Sequence, residues 1–270
     1  MKRPSRWAAV AAIAGVLPQG ATAAPPEPTG KWVVNFEPAQ CIASRSYGTE
    51  EEPLMLVLKA PVTGSTLQLF VIRKGRKGSA AEQLKGGLAI AGEAKAGLSV
   101  LAYSPKGEAR RVFLFNLPRD SVAAWPSKGS LEVRAGASIR EGFALSGLQP
   151  LLKIMDKCVA DLRDYWNFSD ETIASKHRRR AEANLIRVFS ANDYPSISLR
   201  EGDTGTVRVV LLVDPTGKVA DCSLVETSGV AVLDAQTCVL IRERAQLRPA
   251  IGVDGKPARD VFLQRVTWSM

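Results

Sequence analysis

Short apolar runs, each followed by a turn signal, dominate the sequence between residues 30 and 145. The runs are rich in β-branched and aromatic residues, and they recur at a spacing of roughly ten residues. Pro53, Pro61, Gly64 and the stretch RKGRKG are among the turn signals that separate them. This rhythm predicts an antiparallel β-sandwich or barrel.

The hydrophobic period changes after Ser146, which is the predicted N-cap of a helix. Apolar residues up to Trp166 follow helical spacing, and Cys158 lies on their stripe, which we expect to face the sheet that contains Cys41. We therefore predict a β-rich domain over residues 30–166 that is closed by its own C-terminal helix.

The first residues have the three parts of a secretory signal peptide. Lys2, Arg3 and Arg6 precede an apolar run over residues 7–17, and Ala21-Thr22-Ala23 provides a small-residue cleavage site. A membrane-spanning helix needs about 20 apolar residues, which is longer than this run. We predict a signal peptide over residues 1–23, cleaved after Ala23, with an uncleaved membrane anchor as the alternative.

A polar stretch over residues 167–193 shows no strand pattern, and we interpret it as an interdomain linker. It contains the basic run His177-Arg178-Arg179-Arg180 in a chain whose formal net charge is +9. Such a run is compatible with nucleic acid or an anionic surface. Because the chain is predicted to be exported and no aromatic residues interleave with the run, we favour a solvated linker and expect no nucleic-acid partner.

The last part of the chain, residues 194–270, predicts a small α+β unit of order β-β-α-β. Two apolar strands meet at Asp214-Pro215-Thr216-Gly217, where Pro and Gly favour a tight turn. A helix is predicted from Val232 to Leu247, and a third strand follows from Asp260 to Trp268. In the first strand, the apolar residues on both faces predict helix cover on one side and partial cover on the other.

An even number of cysteines, four in all, favours disulfides in an oxidising compartment. Three pairings are possible, and the division into domains favours Cys41–Cys158 and Cys222–Cys238. A metal site is the competing interpretation, but the chain has no CxxC motif and a single histidine. The shorter bridge would close a loop of roughly 17 residues and stabilise its domain by about 3 kcal/mol.

Short motifs in this last unit occur in the order and spacing of a known family. They are Tyr194-Pro195, Leu199, Gly205-Thr206-Val207, the stretch from Val213 to Val219, Thr227-Ser228-Gly229, Leu233-Asp234, Arg248-Pro249-Ala250 and Gly255-Lys256-Pro257. Taken together, these motifs resemble the C-terminal domain of TonB, the energy transducer of Gram-negative cell envelopes. The DC…TC cysteine pair resembles a disulfide-bearing branch of that family.

This resemblance implies a periplasmic protein that binds an extended segment, the TonB box, of an outer-membrane transporter. Such binding uses β-augmentation, in which the unpaired edge of a sheet accepts another strand. We predict the last strand as that edge, with the site residues Val261, Phe262, Leu263, Gln264, Arg265, Val266, Thr267 and Trp268. An isologous homodimer through the same edge is a further possibility.

The chain departs from the TonB pattern before this domain. A folded β-rich region replaces the long Pro-rich spacer, and the N-terminal segment resembles a cleaved signal peptide rather than an anchor. The alternative function is therefore a periplasmic adaptor or scaffold without energy coupling.

The sequence contains no recognisable catalytic motif, and we predict a protein that is not an enzyme and uses no cofactor or metal. The single histidine, His177, lies in the basic run, and no HExxH, GxSxG or P-loop pattern is present. A hydrolase activity in the β-rich domain, built from carboxylates that meet only in the fold, is the alternative from another class.

Overall fold

The computed structural model describes residues 25–78, 80–126, 128–168 and 177–270. The predicted signal peptide and residues 169–176 of the predicted linker lie outside these ranges.

Nine strands of the β-rich region form one antiparallel sheet in the order β1-β2-β3-β4-β7-β6-β5-β8-β9. Their bounds are Val33–Glu37 (β1), Gln40–Gly48 (β2), Pro53–Ala60 (β3), Thr66–Lys74 (β4), Glu82–Ile90 (β5), Glu93–Tyr103 (β6), Arg110–Pro118 (β7), Lys128–Ala135 (β8) and Ile139–Ser146 (β9). A short helix, α1 (Arg119–Ala123), follows β7. The antiparallel strands are as predicted, but the sandwich alternative is wrong because the strands form one sheet.

This sheet curls into a half-barrel, so that its two ends approach each other. The Tyr47 hydroxyl on β2 donates to the carbonyl of Ala144 on β9 at 3.1 Å, and Arg45 Nη1 donates to the carbonyl of Ser146 at 2.8 Å. The N-terminal segment also connects the two strands, because Thr29 N donates to Ser46 O and Ala144 N donates to Pro26 O.

Helix α2 (Leu148–Tyr165) closes the half-barrel, as its apolar stripe predicts. Leu148, Leu151, Met155 and Leu162 are among its buried residues. The predicted N-cap is wrong, since Ser146 ends β9 and Gly147 caps the helix with a φ of 69°. Glycine adopts this left-handed conformation without the steric penalty of a side chain.

The C-terminal unit contains a three-stranded antiparallel sheet in the order β12-β11-β15. Its main elements are α3 (Ser196–Glu201), β11 (Gly205–Val213), β12 (Val219–Glu226), α4 (Ala231–Arg244) and β15 (Asp260–Trp268). The order β-β-α-β is the predicted one, although α4 ends three residues before the predicted Leu247. A second small sheet, β10-β13-β14, was not predicted, and its strands are His177–Arg179, Ala250–Gly252 and Pro257–Ala258.

The hairpin between β11 and β12 depends on two residues of the predicted turn. Asp214 Oδ1 accepts hydrogen bonds from the backbone N–H groups of Thr216 and Lys218 at 2.8 and 3.1 Å. Gly217 has a φ of 85°, and a Cβ atom there would lie 2.0 Å from the carbonyl oxygen of Leu247. Only glycine fits this position, because a side chain would meet both backbone strain and a main-chain clash.

The described part of the predicted linker, residues 177–193, is packed into the C-terminal unit rather than solvated. β10 pairs with β13, and the short 3₁₀ helices Leu185–Val188 and Ala191–Asp193 follow it. Leu185 and Val188 are buried in the same apolar cluster as α4. The linker interpretation is therefore wrong here. The residues that this stretch contacts are distant in sequence, and its polar composition does not indicate them.

The sheet of the C-terminal unit is covered on both faces, in agreement with the pattern of β11. Val207, Val209 and Leu211 pack in the cluster that contains α4. Val210 and Leu212 join the apolar core of the half-barrel. Thr66 on β4 also donates a hydrogen bond to the carbonyl of Val225 on β12, so the half-barrel and the C-terminal unit share a packed interface.

Candidate strand-addition edge

β15 lies at the edge of the three-stranded sheet. It pairs with β11 over its whole length, from Asp260 opposite Val213 to Trp268 opposite Gly205. No described strand pairs with its other side. The opposite edge strand, β12, instead contacts the half-barrel through the Thr66 hydrogen bond and the ion pair between Lys59 and Asp221 at 3.4 Å.

The hydrogen bonds of Val261 show which main-chain groups of β15 point away from β11. Its N–H donates to Asp260 Oδ1 at 2.8 Å, and its carbonyl accepts from Arg180 Nη2 at 2.7 Å, so neither group is used to pair with β11. In an antiparallel ladder, outward and inward residues alternate. Leu263, Arg265 and Thr267 therefore also direct their N–H and C=O groups away from β11.

The start of this outer side is covered by residues 177–181, which we call the clasp. Arg180 Nε donates to both oxygens of Asp260 at 2.8 and 2.9 Å, and Ala181 N donates to Asp260 Oδ2 at 2.7 Å. The ring of His177 donates from Nε2 to the carbonyl of Arg259 at 2.9 Å. Because the clasp occupies the carbonyl of Val261, the accessible edge begins at Leu263.

Side chains of the predicted site divide between two faces of the sheet. Phe262, Val266 and Trp268 pack in the cluster that contains α4. On the opposite face, Val261 is buried against the half-barrel, whereas Leu263 is 52% exposed and Arg265 and Thr267 are exposed. Gln264 is half-buried, and its side-chain amide donates to the carbonyl of Arg265. The structure thus places the eight residues on one strand, with distinct surroundings on each face.

A cavity of about 310 Å³ adjoins the end of the edge on the α4 side, and we call it the edge pocket. The rings of Phe189 and Tyr194 contact Trp268 edge-on, with centroids 5.9 and 5.2 Å away. Ile186, which is 84% exposed, and Val266 also line it. The far wall of this pocket comes from residues 167–193, so the linker prediction gave no sign of it.

The wall of the edge pocket is held to α4 by an ion pair. Asp193 Oδ2 and Oδ1 accept from Arg244 Nη1 and Nη2, both at 2.8 Å, and Asp193 also accepts from the N–H and hydroxyl of Ser190. Hydrogen bonds from Arg244 and Ser190 hold the pKa of Asp193 well below its ordinary value. The carboxylate is therefore ionised at neutral pH and fixes the pocket wall.

Helix α4 is fastened to β12 by motif residues at its first turn and by a disulfide at its middle. Asp234 Oδ1 accepts from the N–H and the hydroxyl of Ser228 at 2.8 Å, and Thr227 donates to its other oxygen. Burial raises the pKa of Asp234, while these hydrogen bonds oppose the rise. Cys222 on β12 and Cys238 on α4 lie at disulfide distance, with Cα atoms 5.4 Å apart.

The other cysteine pair, Cys41 on β2 and Cys158 on α2, also lies at disulfide distance, with Cα atoms 6.0 Å apart. Within the described part of the chain, no group of three or more His, Cys, Asp or Glu side chains is arranged to hold a metal ion. His177 is buried in the clasp.

These features define a small α+β unit in which one edge strand of the sheet has no described partner on its outer side. Residues 190–270, less than a third of the chain, match the family model for the C-terminal domain of Gram-negative bacterial TonB protein. This part of the chain is similar to the TonB C-terminal domain, a protein-interaction domain of Gram-negative bacteria. Comparisons with curated proteins and with solved structures find no match. None of the helices in the described ranges is long and apolar enough to cross a membrane.

Proposed function

We propose that this protein binds an extended segment of an outer-membrane TonB-dependent transporter in the periplasm, by strand addition to β15, and so supports transport across the outer membrane. The outward main-chain groups of Leu263, Arg265 and Thr267 carry the proposal, because an added strand gains its affinity from such groups. The TonB family match supports a partner in the Gram-negative cell envelope.

The decisive change is Leu263→Pro in the full chain. Proline removes the outward N–H of Leu263, but the alternation places that group outside the β11 ladder, so the sheet should persist. We expect a loss of about tenfold or more in affinity for synthetic TonB-box peptides, since one hydrogen bond is lost and the ring obstructs the added strand. Isothermal titration calorimetry with peptides that copy transporter segments measures the loss.

Leu263→Ala is the matched control, because it removes the same exposed side chain and keeps the N–H. We expect it to bind within about threefold of the wild type, as exposed side chains contribute little. Equal affinities of the Pro and Ala variants would exclude strand addition at this edge.

The periplasmic location is part of the same proposal and depends on the signal peptide proposed for residues 1–23. Export should leave a mature chain that starts at Ala24. Cell fractionation followed by N-terminal sequencing measures this start directly. A chain that retains Lys2 and Arg3 and sediments with the inner membrane would contradict it and favour the anchored alternative.

A further inference from the structure

We propose that the edge selects a segment in which apolar and acidic side chains alternate, with the apolar ones entering the edge pocket and an acidic one beside Arg265. This inference rests on the strand addition proposed above and concerns which segments can be added. It is based on the difference between the two faces of the sheet, the α4 face and the opposite one, beside which an added strand would lie.

On the α4 face, the added strand would continue the row that contains Val266 and Trp268. Residues directly opposite each other on neighbouring strands share a face and lie within contact distance. A side chain opposite Val266 therefore meets the edge pocket, whose walls are the rings of Phe189 and Tyr194 and the side chain of Ile186. A pocket with these walls favours an aliphatic side chain over a polar one.

On the opposite face, the added strand would lie beside Leu263, Arg265 and Thr267. Arg265 is exposed and forms no ion pair with any residue that the structure describes. By contrast, Arg208 on β11 of the same sheet is already paired with Glu226. The unpaired cation at the centre of the accessible edge favours a carboxylate opposite it and disfavours a lysine.

The clasp sets the length of the segment that can be added. Because Arg180 occupies the carbonyl of Val261, pairing begins at Leu263 and ends with the strand at Trp268. Three outward residues remain, so about five partner residues suffice to span them. Within that span, the edge pocket and Arg265 are consecutive positions on opposite faces, which fixes the alternating pattern and its register.

Three blocked seven-residue peptides test this pattern on the full chain by NMR titration of the Leu263, Arg265 and Thr267 amides. The first alternates Val with Glu, the second replaces Val by Ala, and the third replaces Glu by Lys. We expect the Val/Glu peptide to bind about tenfold more tightly than the Ala/Glu peptide, from burial of one valine side chain in the pocket. The Val/Lys peptide should bind several-fold more weakly than Val/Glu at low salt, and this difference should shrink as salt is added.

Two protein variants assign these preferences to their residues. Ile186→Ala shortens one wall of the edge pocket and should reduce the preference for Val over Ala. Arg265→Glu should reverse the preference, so that Val/Lys binds more tightly than Val/Glu. If Arg265→Glu only disturbed the structure, it would weaken both peptides and would not make Val/Lys the tighter one.

The outcomes separate this inference from the function on which it rests. If transporter peptides bind and Leu263→Pro weakens them, but the three alternating peptides bind equally, the selectivity is wrong and strand addition stands. If the Arg265→Glu variant keeps the wild-type order of peptides, the charge assignment is overturned. If no peptide of either kind perturbs the β15 amides, strand addition and the selectivity are both overturned.

Discussion

Replacing Cys41 and Cys158 by alanine should lower the free energy of unfolding by about 5 kcal/mol. The pair is separated by 117 residues in sequence, so a bond between them removes much conformational entropy from the unfolded chain. Both residues are buried, and alanine leaves no unpaired polar group at either position. Urea denaturation followed by circular dichroism measures the change.

The Cys222–Cys238 pair is the matched control, since its partners are separated by only 16 residues. Replacing that pair by alanine should cost about 3 kcal/mol by the same chain-entropy argument. Reductant should then destabilise each double variant only by the contribution of the pair that it retains. Free thiols in the native wild-type protein, or a smaller loss for the long loop than for the short one, would contradict the expectation.

The spacing of apolar residues in the sequence correctly predicted which face of a strand or helix is buried. The alternation of side chains along β11 predicted that Val209 and Val210 face opposite sides of the sheet. In the structure, the two residues pack in two different apolar clusters. The apolar stripe around Cys158 predicted α2, because helical spacing places such residues on one face. The prediction that Asp260–Trp268 lies at a sheet edge agrees with the strand order β12-β11-β15.

Pairing between distant strands was not predictable in the same way. Alternation marks a strand with one buried face, but it carries no information about which strand lies beside it. The β4–β7 and β5–β8 pairs, which join the strands into one curled sheet, are set by tertiary packing. This is why a sandwich and a barrel were equally compatible with the sequence.

The clasp was missed for a related reason. A run of histidine and arginine among polar residues is typical of a solvated segment, and its partner Asp260 is 80 residues away in sequence. One signal was present, because an aspartate at the first position of a strand needs a compensating cation when it is buried. That signal marks the arginine run as a candidate partner without identifying Arg180.

The substitution Asp260→Asn should lower the free energy of unfolding by about 3 kcal/mol. Asp260 is 1% exposed, and its two oxygens accept from Arg180, from Ala181 N and from Val261 N. An asparagine keeps the size of the side chain but replaces one acceptor oxygen by an NH₂ group. That group would face a buried N–H donor, so neither would have an acceptor, and Arg180 would lose its counter-charge.

Glu226→Gln is the control for this substitution, because it neutralises an exposed ion pair with Arg208 on the same sheet. That change should cost less than about 1 kcal/mol. In the Asp260→Asn variant, hydrogen exchange should also accelerate at the amides of Ala181 and Val261, since each loses a carboxylate acceptor. A loss of stability no larger than that of Glu226→Gln, with both amides still protected, would mean that the clasp is held by the β10–β13 pairing rather than by Asp260.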